Sequence, residues 1–437
     1  MSPPDARKAF RLDLEAQRER AGDLFRAAGR GDPGAVARIT QSLGRADGAP
    51  GTVPDAFTLA DARRVIAREL GLDGWPELTE HIAVMERERA VMERERAPMD
   101  GGAPGHGPKT LHIRCGSDLA QGLRQGGFTG DYLEYANPFC QGPVTGEPGE
   151  PGEMRRRVRF LAESYGEALG LSALQFEKML RQEENGLASS YRDYERVVLW
   201  FEHDSFDQLI LIRCLAFFAT HRPAALELVS ANRFPGTSRF LGLGQLPPEA
   251  LRLLWTKRSP VSEEQLALGR KAWDALKSPD PTELASIAND ESAVLPDLPT
   301  ALRRHLQELP SVRNGLGLTQ ELVLSALAER EQTIGDLFQG LLAGREPLPW
   351  LGDVMFLSIL EAMRMAQEPP FEISPETASG PWPCRLLTIT SAGFRTLSGD
   401  RDWLTRMPPE RWVGGVCIEP QAGTWRWNED EGRPVFV

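Results

Sequence analysis

The residues best suited to chemistry in this sequence lie in one run, "VVLWFEHDSFDQL" at 197–209. Five apolar residues lead directly into Glu202, His203 and Asp204. A carboxylate that follows a buried strand is costly unless it is paired or lies at an opening. Successive strand residues point to opposite faces, so Glu202 and Asp204 should share one side and His203 the other. Carboxylates beside an imidazole can transfer protons or ligate a divalent metal. We predict a catalytic role for these three residues and assign no metal site.

Polar residues also follow three other predicted strands, "TLHIRC" at 110–115, "DYLEYA" at 131–136 and "LELVSA" at 226–231. Ligands of open parallel sheets bind beyond the carboxyl ends of the strands. Backbone amides at a helix start suit an anion. The predicted ligand-binding residues are therefore Gly116, Ser117, Asp118, Asn137 and Asn232.

Simpler structural roles compete with these assignments. Asp204 directly precedes a predicted helix and could be its N-cap, with Asp207 in the first turn, where the helix dipole favours acids. Ser117 or Asp118 could likewise cap a helix over 119–125. His112 lies inside a predicted strand, which favours a hydrogen-bonded core histidine.

The elements that would position these residues alternate between strand and helix over about 110–300. Helices are predicted at 154–169, 171–187 and after Asp204, between the four strands. This order is typical of a parallel sheet covered on both faces. We therefore expect an α/β fold with a Rossmann-like domain at 110–300, although the G-x-G-x-x-G fingerprint is absent.

A small all-α module is predicted before this domain, at 10–97. "TLADARRVIARELGLDGWPELTEHI" at 58–82 begins with Thr58 as N-cap and stops at Gly71. The helix pair at 22–39 is weakly similar to an ankyrin-type pair, and a small helical bundle explains it equally well. The heptad "VMERERA" occurs at 84–90 and again at 91–97. The Gly/Pro-rich stretch 98–109 then predicts a linker.

The last predicted domain, 310–437, has three helices followed by strands, the order of a winged-helix α+β domain. Thr319 is predicted to cap its first helix. The third helix, 351–363, is apolar on nearly every side and carries no basic residue, so we expect it to pack against protein. Just upstream, Arg303, Arg304 and His305 are predicted on a solvated helix face.

Composition narrows the function classes. The 437 residues carry a net charge of −12, and residues 281–437 hold 13 Arg and no Lys against 22 acids. That balance counts against nucleic-acid binding, which depends on neutralising phosphates. Five scattered cysteines, no signal-like N-terminus and no long apolar run predict a cytoplasmic protein without a membrane partner.

From residue 110 onward the chain resembles the bacterial domain-of-unknown-function family 1835. The resemblance rests on "LHIRCGSDLAQGLRQGG", "NPFCQGPV", "VVLWFEHDSFDQL", "RFLGLGQLPPEALRLLW", "SPVSEEQLALGRKAW", "LRRHLQELPSVRNGL" and "WLGDVMF". It implies a bacterial protein, and it assigns neither a reaction nor a catalytic residue.

The leading prediction is an enzyme or ligand-binding protein for a small anionic metabolite, nucleotide- or phosphate-like, with no cofactor identified. The alternative is a non-catalytic interaction or regulatory protein, whose N-terminal helices would bind a protein partner.

Overall fold

The computed structural model describes residues 10–43, 57–94, 108–290 and 294–437. Most of the predicted linker, 98–107, and the end of the second heptad, 95–97, lie outside the described residues. The chain divides into two compact units. The first comprises Met1–Thr110, Ser117–Asp131 and Val229–Ser259, and the second comprises Leu111–Gly116, Tyr132–Leu228 and Pro260–Val437.

The fold is mixed α/β, with a five-stranded, mostly parallel sheet in the order β2–β1–β3–β4–β5. In chain order, the helices and strands as far as β5 are α1 (Leu14–Gly29), α2 (Pro33–Leu43), α3 (Leu59–Glu69), α4 (Trp75–Arg94), β1 (Thr110–Arg114), α5 (Ala120–Gln125), β2 (Asp131–Glu134), α6 (Pro151–Leu169), α7 (Ala173–Asp193), β3 (Arg196–Glu202), α8 (Ser205–Phe218), β4 (Ala225–Ala231), α9 (Pro248–Thr256) and β5 (Ser259–Pro260).

The C-terminal half of the second unit is mostly helical before it ends in short strands. Its helices and strands are α10 (Glu263–Leu276), α11 (Thr282–Ala288), α12 (Leu298–Leu306), α13 (Leu318–Glu329), β6 (Gln332–Thr333), α14 (Ile334–Gly340), α15 (Asp353–Arg364), β7 (Phe371–Ile373), β8 (Leu386–Ile389), α16 (Ser391–Leu397), β9 (Arg411–Val413), β10 (Val416–Ile418), β11 (Trp425–Asn428) and β12 (Arg433–Phe436).

The first unit has a helical core of its own. α3 packs against α1, and Thr58 caps α3 in a capping box with Asp61, as predicted. The described part of the repeated heptad, residues 84–94, forms the end of α4, which packs against α9. There Arg89 donates to Glu249, and Arg252 of α9 donates to Glu88. The heptad charges thus hold two helices of one unit together.

In the second unit the predicted strands and helices form close to their predicted bounds. β3 is buried at every residue after its first, as expected of a central strand covered on both faces. His112 is a core histidine, since the Trp200 indole N–H donates to its Nδ1 at 3.1 Å. α8 and α10 pack closely at Gly269, where an added Cβ would lie 2.4 Å from Leu215.

Further along, β6, β8 and β7 form an antiparallel three-stranded sheet with β8 in the centre. α15 packs against α6, in agreement with the prediction that this apolar helix contacts protein. β9 pairs with β10 and β11 with β12 as two separate hairpins. Among the described helices, none combines the length and the apolar character needed to cross a bilayer.

Candidate functional site

The structure distributes the predicted site residues over the two units. The second unit contains Gly116, Asn137, Glu202, His203 and Asp204. The first contains Ser117, Asp118 and Asn232. Each group is described within its own unit.

Glu202 is the last residue of β3, and Asp204 is the N-cap of α8. The Asp204 carboxylate accepts the Asp207 backbone N–H at 3.0 Å, so the predicted capping role is present. Glu202 and Asp204 are both 5% exposed, whereas His203 is more exposed. Strand alternation therefore separates the two carboxylates from the imidazole, as the sequence predicts.

Arg114, at the end of β1, brings Glu202 together with a third carboxylate, that of Asp207. Its guanidinium donates to Glu202 at 3.0 Å and also to Asp207, which is 1% exposed. Asp207 in turn accepts the Glu202 backbone N–H at 2.9 Å. We call Arg114, Glu202, Asp204 and Asp207 the strand-end cluster.

Two neighbours add hydrogen bonds to this cluster. The Cys115 thiol donates to Asp207 at 2.9 Å, and the Gln208 amide donates to the main-chain oxygen of Glu202 at 2.5 Å. Asp207 therefore joins the ends of β1 and β3 to the first turn of α8. Its role extends beyond the helix-dipole interaction expected from the sequence.

The strand-end cluster contains three buried carboxyl groups but one guanidinium, that of Arg114. Burial, reinforced by the Asp207 charge, raises the pKa of Asp204 to about 8, and the Asp207 N–H and Arg114 offset this only in part. A carboxyl group with such a pKa carries a proton at neutral pH and can exchange it there. Asp204 is thus the residue of the cluster best suited to acid–base chemistry.

One oxygen each from Glu202, Asp204 and Asp207 lie within 4.8 Å of one another. That spacing would let them share a hard cation such as Mg²⁺. These three carboxylates differ from the possible ligands seen in the sequence, Glu202, His203 and Asp204, because Asp207 takes the place of His203. Arg114 already occupies one oxygen of Glu202 and one of Asp207.

Asn137 serves a different purpose in the described structure. Its side-chain oxygen accepts two hydrogen bonds from Arg157 of α6, at 2.7 and 3.1 Å. The other Arg157 donors bind the main-chain oxygens of Pro138, Gln141 and Pro143. All five guanidinium N–H groups therefore hold the loop 137–143, and the predicted ligand role of Asn137 remains a prediction.

In the first unit, Asp118 lies against the Gly-rich turn at 242–245. A Cβ added to Gly244 would lie 2.3 Å from an Asp118 carboxylate oxygen, so the Asp118 side chain would have to move to admit one. The prediction that Ser117 or Asp118 caps α5 is wrong, because Leu119 is the N-cap and no side chain caps the helix. Ligand binding by Ser117, Asp118 and Asn232 remains a prediction.

A second buried ionic cluster corrects two expectations about the C-terminal helices. Arg304 donates to both oxygens of Glu346 at 2.7 Å and to Glu308 at 2.8 Å. The Thr319 hydroxyl accepts from Arg304 and donates to Glu308 at 2.6 Å. We call Arg304, Glu308, Thr319 and Glu346 the Arg304 cluster.

Arg304 and His305 are each 2% exposed, so the predicted solvated face is wrong for both, while Arg303 is exposed. Burial lowers the pKa of His305 to about 4, against the opposing charge of Glu308. The prediction that Thr319 caps α13 is wrong: Gly317 is the N-cap, and Thr319 is the second residue of the helix.

Sequence reasoning missed Arg114 as a member of the site. One signal was present: an arginine directly before Cys115, in a strand predicted to be buried, needs a buried partner. A scan of the chain against protein-family models finds no match, and a search of curated proteins finds none either.

Proposed function

We propose that the protein is an enzyme or ligand-binding protein for a small anionic metabolite, nucleotide- or phosphate-like, bound at the carboxyl ends of the parallel strands. The observation that carries the proposal is the strand-end cluster, in which Asp204 has a pKa of about 8. A group that titrates near neutral pH suits general acid or base catalysis.

The free-energy cost of the strand-end cluster supports this proposal. Burying three carboxylates near one guanidinium is unfavourable compared with an apolar core. Strongly perturbed carboxyl groups are found more often at functional sites than elsewhere. Glu202 and His203 would then contact the ligand while Arg114 and Asp207 position Glu202.

The net negative charge of the cluster restricts how an anion could approach. The carboxylates would accept hydrogen bonds from hydroxyl groups, as acidic residues do with the ribose of bound nucleotides. A divalent cation shared by Glu202, Asp204 and Asp207 would be the other way to bring a phosphate close. The first route favours a sugar-bearing phosphate over inorganic phosphate, whereas the second would accept either.

The strand order β2–β1–β3–β4–β5 supports a Rossmann-like interpretation of the sheet. Ligands of such sheets bind beyond the carboxyl ends of the strands, where the strand-end cluster lies. The order α13, β6, α14, α15, β7, β8 also fits a winged-helix-like domain. We propose that this domain packs on α6 instead of binding DNA. Membership of the family 1835 and a cytoplasmic location belong to the same proposal.

Thermal unfolding of the full chain tests the proposal, with ATP, NAD⁺, ribose 5-phosphate and inorganic phosphate, each with and without Mg²⁺. A ligand at 100 times its dissociation constant adds about 2.7 kcal/mol, enough for a clear upward shift in Tm. Glu202→Gln should abolish the shift. Arg155→Gln, an exposed change on α6, should leave it intact.

Asp204→Asn separates binding from proton transfer, because asparagine is as good an N-cap as aspartate. In the absence of Mg²⁺ this variant should keep a ligand-induced shift and lose any turnover. No shift with any compound in the parent protein would overturn the proposal.

A further inference from the structure

The second unit contains a cavity of about 520 Å³ that is remote in sequence from the strand-end cluster. Its walls come from the loop at 140–143, from α6, from α15 and from residues 409–412 at the start of β9. The volume lies within the range of small-molecule sites. The cavity therefore has room for a ligand of one or two rings.

Aromatic side chains supply much of the cavity wall. Phe160 of α6, Trp350 and Trp412 all line it, together with Ile359 and Met365. Met365 is 64% exposed, which is unusual for a large apolar side chain. Flat apolar walls of this kind favour an aromatic ligand.

Two of the residues that line the cavity have buried N–H groups with no acceptor. The Trp350 indole nitrogen and Nη2 of Arg411 have no hydrogen-bond partner among the described residues. Nη1 of Arg411 donates to the main-chain oxygen of Glu308 at 2.6 Å. A buried donor without an acceptor is costly, so an oxygen-bearing ligand would relieve that cost.

The Arg411 charge is also incompletely compensated. Burial lowers the pKa of Arg411 to about 10, and the attraction of Glu308 opposes this only in part. Arg159 of α6 lies at the cavity and has no ion pair with any residue in the described ranges. Two guanidinium groups are thus available to a ligand.

The acids around the cavity are mostly occupied by other partners. Glu308 accepts from Arg304 and Thr319, and Glu361 pairs with Arg364 at 2.7 Å. Glu410 accepts the indole N–H of Trp412 at 2.9 Å. Glu163 is exposed at the rim and can turn to solvent. The uncommitted groups on the walls are therefore mainly donors.

From this arrangement we infer that the cavity binds a small aromatic organic anion. The ring lies among Phe160, Trp350 and Trp412, and the acidic group accepts hydrogen bonds from Arg159, Arg411 and the Trp350 indole. This site uses none of the residues of the proposed strand-end site, so either can fail without the other.

A matched pair of fluorescent probes tests the inference on the full chain. 1-Anilinonaphthalene-8-sulfonate has an aromatic body and an anionic group, and N-phenyl-1-naphthylamine has the same rings without the sulfonate. We expect one saturable site for the sulfonate probe and binding about tenfold weaker for the neutral probe. Equal affinities for the two probes would overturn the assignment of an anion.

Variants then locate the site. Arg159→Gln should weaken the sulfonate probe about tenfold and leave the neutral probe unchanged. Trp350→Phe removes a donor and part of the aromatic wall, so it should weaken both probes and the sulfonate probe more. Arg155→Gln is the matched control, because Arg155 is exposed on the same helix and does not line the cavity. An equal loss in Arg155→Gln would show that the effect is non-specific.

Ala362→Phe narrows the cavity from α15 and should abolish binding of both probes. Its thermal unfolding is measured in parallel to confirm that it folds. A folded Ala362→Phe protein that still binds the sulfonate probe at full affinity would place the probe elsewhere and refute the inference.

Discussion

The strand-end cluster and the Arg304 cluster bury similar groups with opposite electrostatic results. In both, one arginine lies among carboxylates inside the second unit. In the Arg304 cluster, the charge of Arg304 and the Thr319 hydroxyl outweigh the effect of burial, and the pKa of Glu308 is lowered. In the strand-end cluster, the pKa of Asp204 is raised to about 8.

The difference lies in the number of carboxylates for each set of donors. Arg304 meets two carboxylates, and the Thr319 hydroxyl and the Leu348 N–H add further donors. Arg114 pairs with Glu202 and Asp207, while Asp204 relies on backbone N–H groups. The Arg304 cluster therefore favours the ionised form of Glu308, whereas the strand-end cluster keeps a titratable proton on Asp204 near neutral pH.

Removing the arginine of the Arg304 cluster should have the largest effect. Arg304→Met leaves Glu308 and Glu346 buried without their main partner, so we expect a loss of about 3–5 kcal/mol in the free energy of unfolding. Urea denaturation measures it. Arg303→Met, on the exposed side of the same helix, is the control, and an equal loss there would contradict the assignment.

Asp204→Asn should remove a pH dependence of stability that the raised pKa of Asp204 gives to the parent protein. Between pH 4 and 8 the folded state holds a proton on Asp204 that the unfolded chain has released, so stability falls as pH rises. The slope is at most about 1.4 kcal/mol per pH unit. Asparagine has no such proton. As the pH rises from 6 to 8, the free energy of unfolding of the variant should therefore increase relative to that of the parent, by at most about 2.7 kcal/mol.

Thermal and urea unfolding at pH 6 and pH 8 check this sign. A variant that loses the same stability at both pH values would show that Asp204 is ionised throughout and needed in that form.

The hydroxyl that balances the Arg304 cluster should have a smaller effect. Thr319→Val keeps the shape of the side chain and removes the hydroxyl that bridges Arg304 and Glu308. We therefore expect the free energy of unfolding to fall by about 1–2 kcal/mol. Thr319→Ser retains the hydroxyl and should lose less. If serine and valine were equally destabilising, packing and not hydrogen bonding would be responsible.

Cys115→Ala should have the smallest effect of the four. The thiol is a weak donor to Asp207, so its removal should cost about 1 kcal/mol in the free energy of unfolding. The pH dependence caused by Asp204 should persist in this variant. Its disappearance would contradict the assignment of the titrating proton to Asp204.

The sequence predicts local features of the site well, because local rules determine them. Five apolar residues place β3, and alternation puts Glu202 and Asp204 on the same side. The pairing of Arg114 with Glu202 spans 88 positions, and no local pattern encodes it. The sequence alone therefore predicts the carboxylates but not the arginine that orders them.

Thr319 is a residue for which a local sequence rule gives the wrong prediction. Its residue type favours an N-cap, which is why the sequence predicts that role for it. Gly317 is the N-cap instead, and the Thr319 hydroxyl accepts a hydrogen bond from Arg304 of another helix. A tertiary hydrogen bond overrode the local preference, and the balance of charges that separates the two clusters arises only in three dimensions.

The Arg157 clamp has a consequence for how the second unit opens. Every donor of this side chain binds the loop 137–143, so the loop cannot detach from α6 without breaking five hydrogen bonds at once. Amide protons of this loop should therefore exchange with solvent deuterium at the rate of α6, as one cooperative unit. Lysine cannot replace the planar fork of arginine, and Arg157→Lys would let the loop exchange independently of the helix.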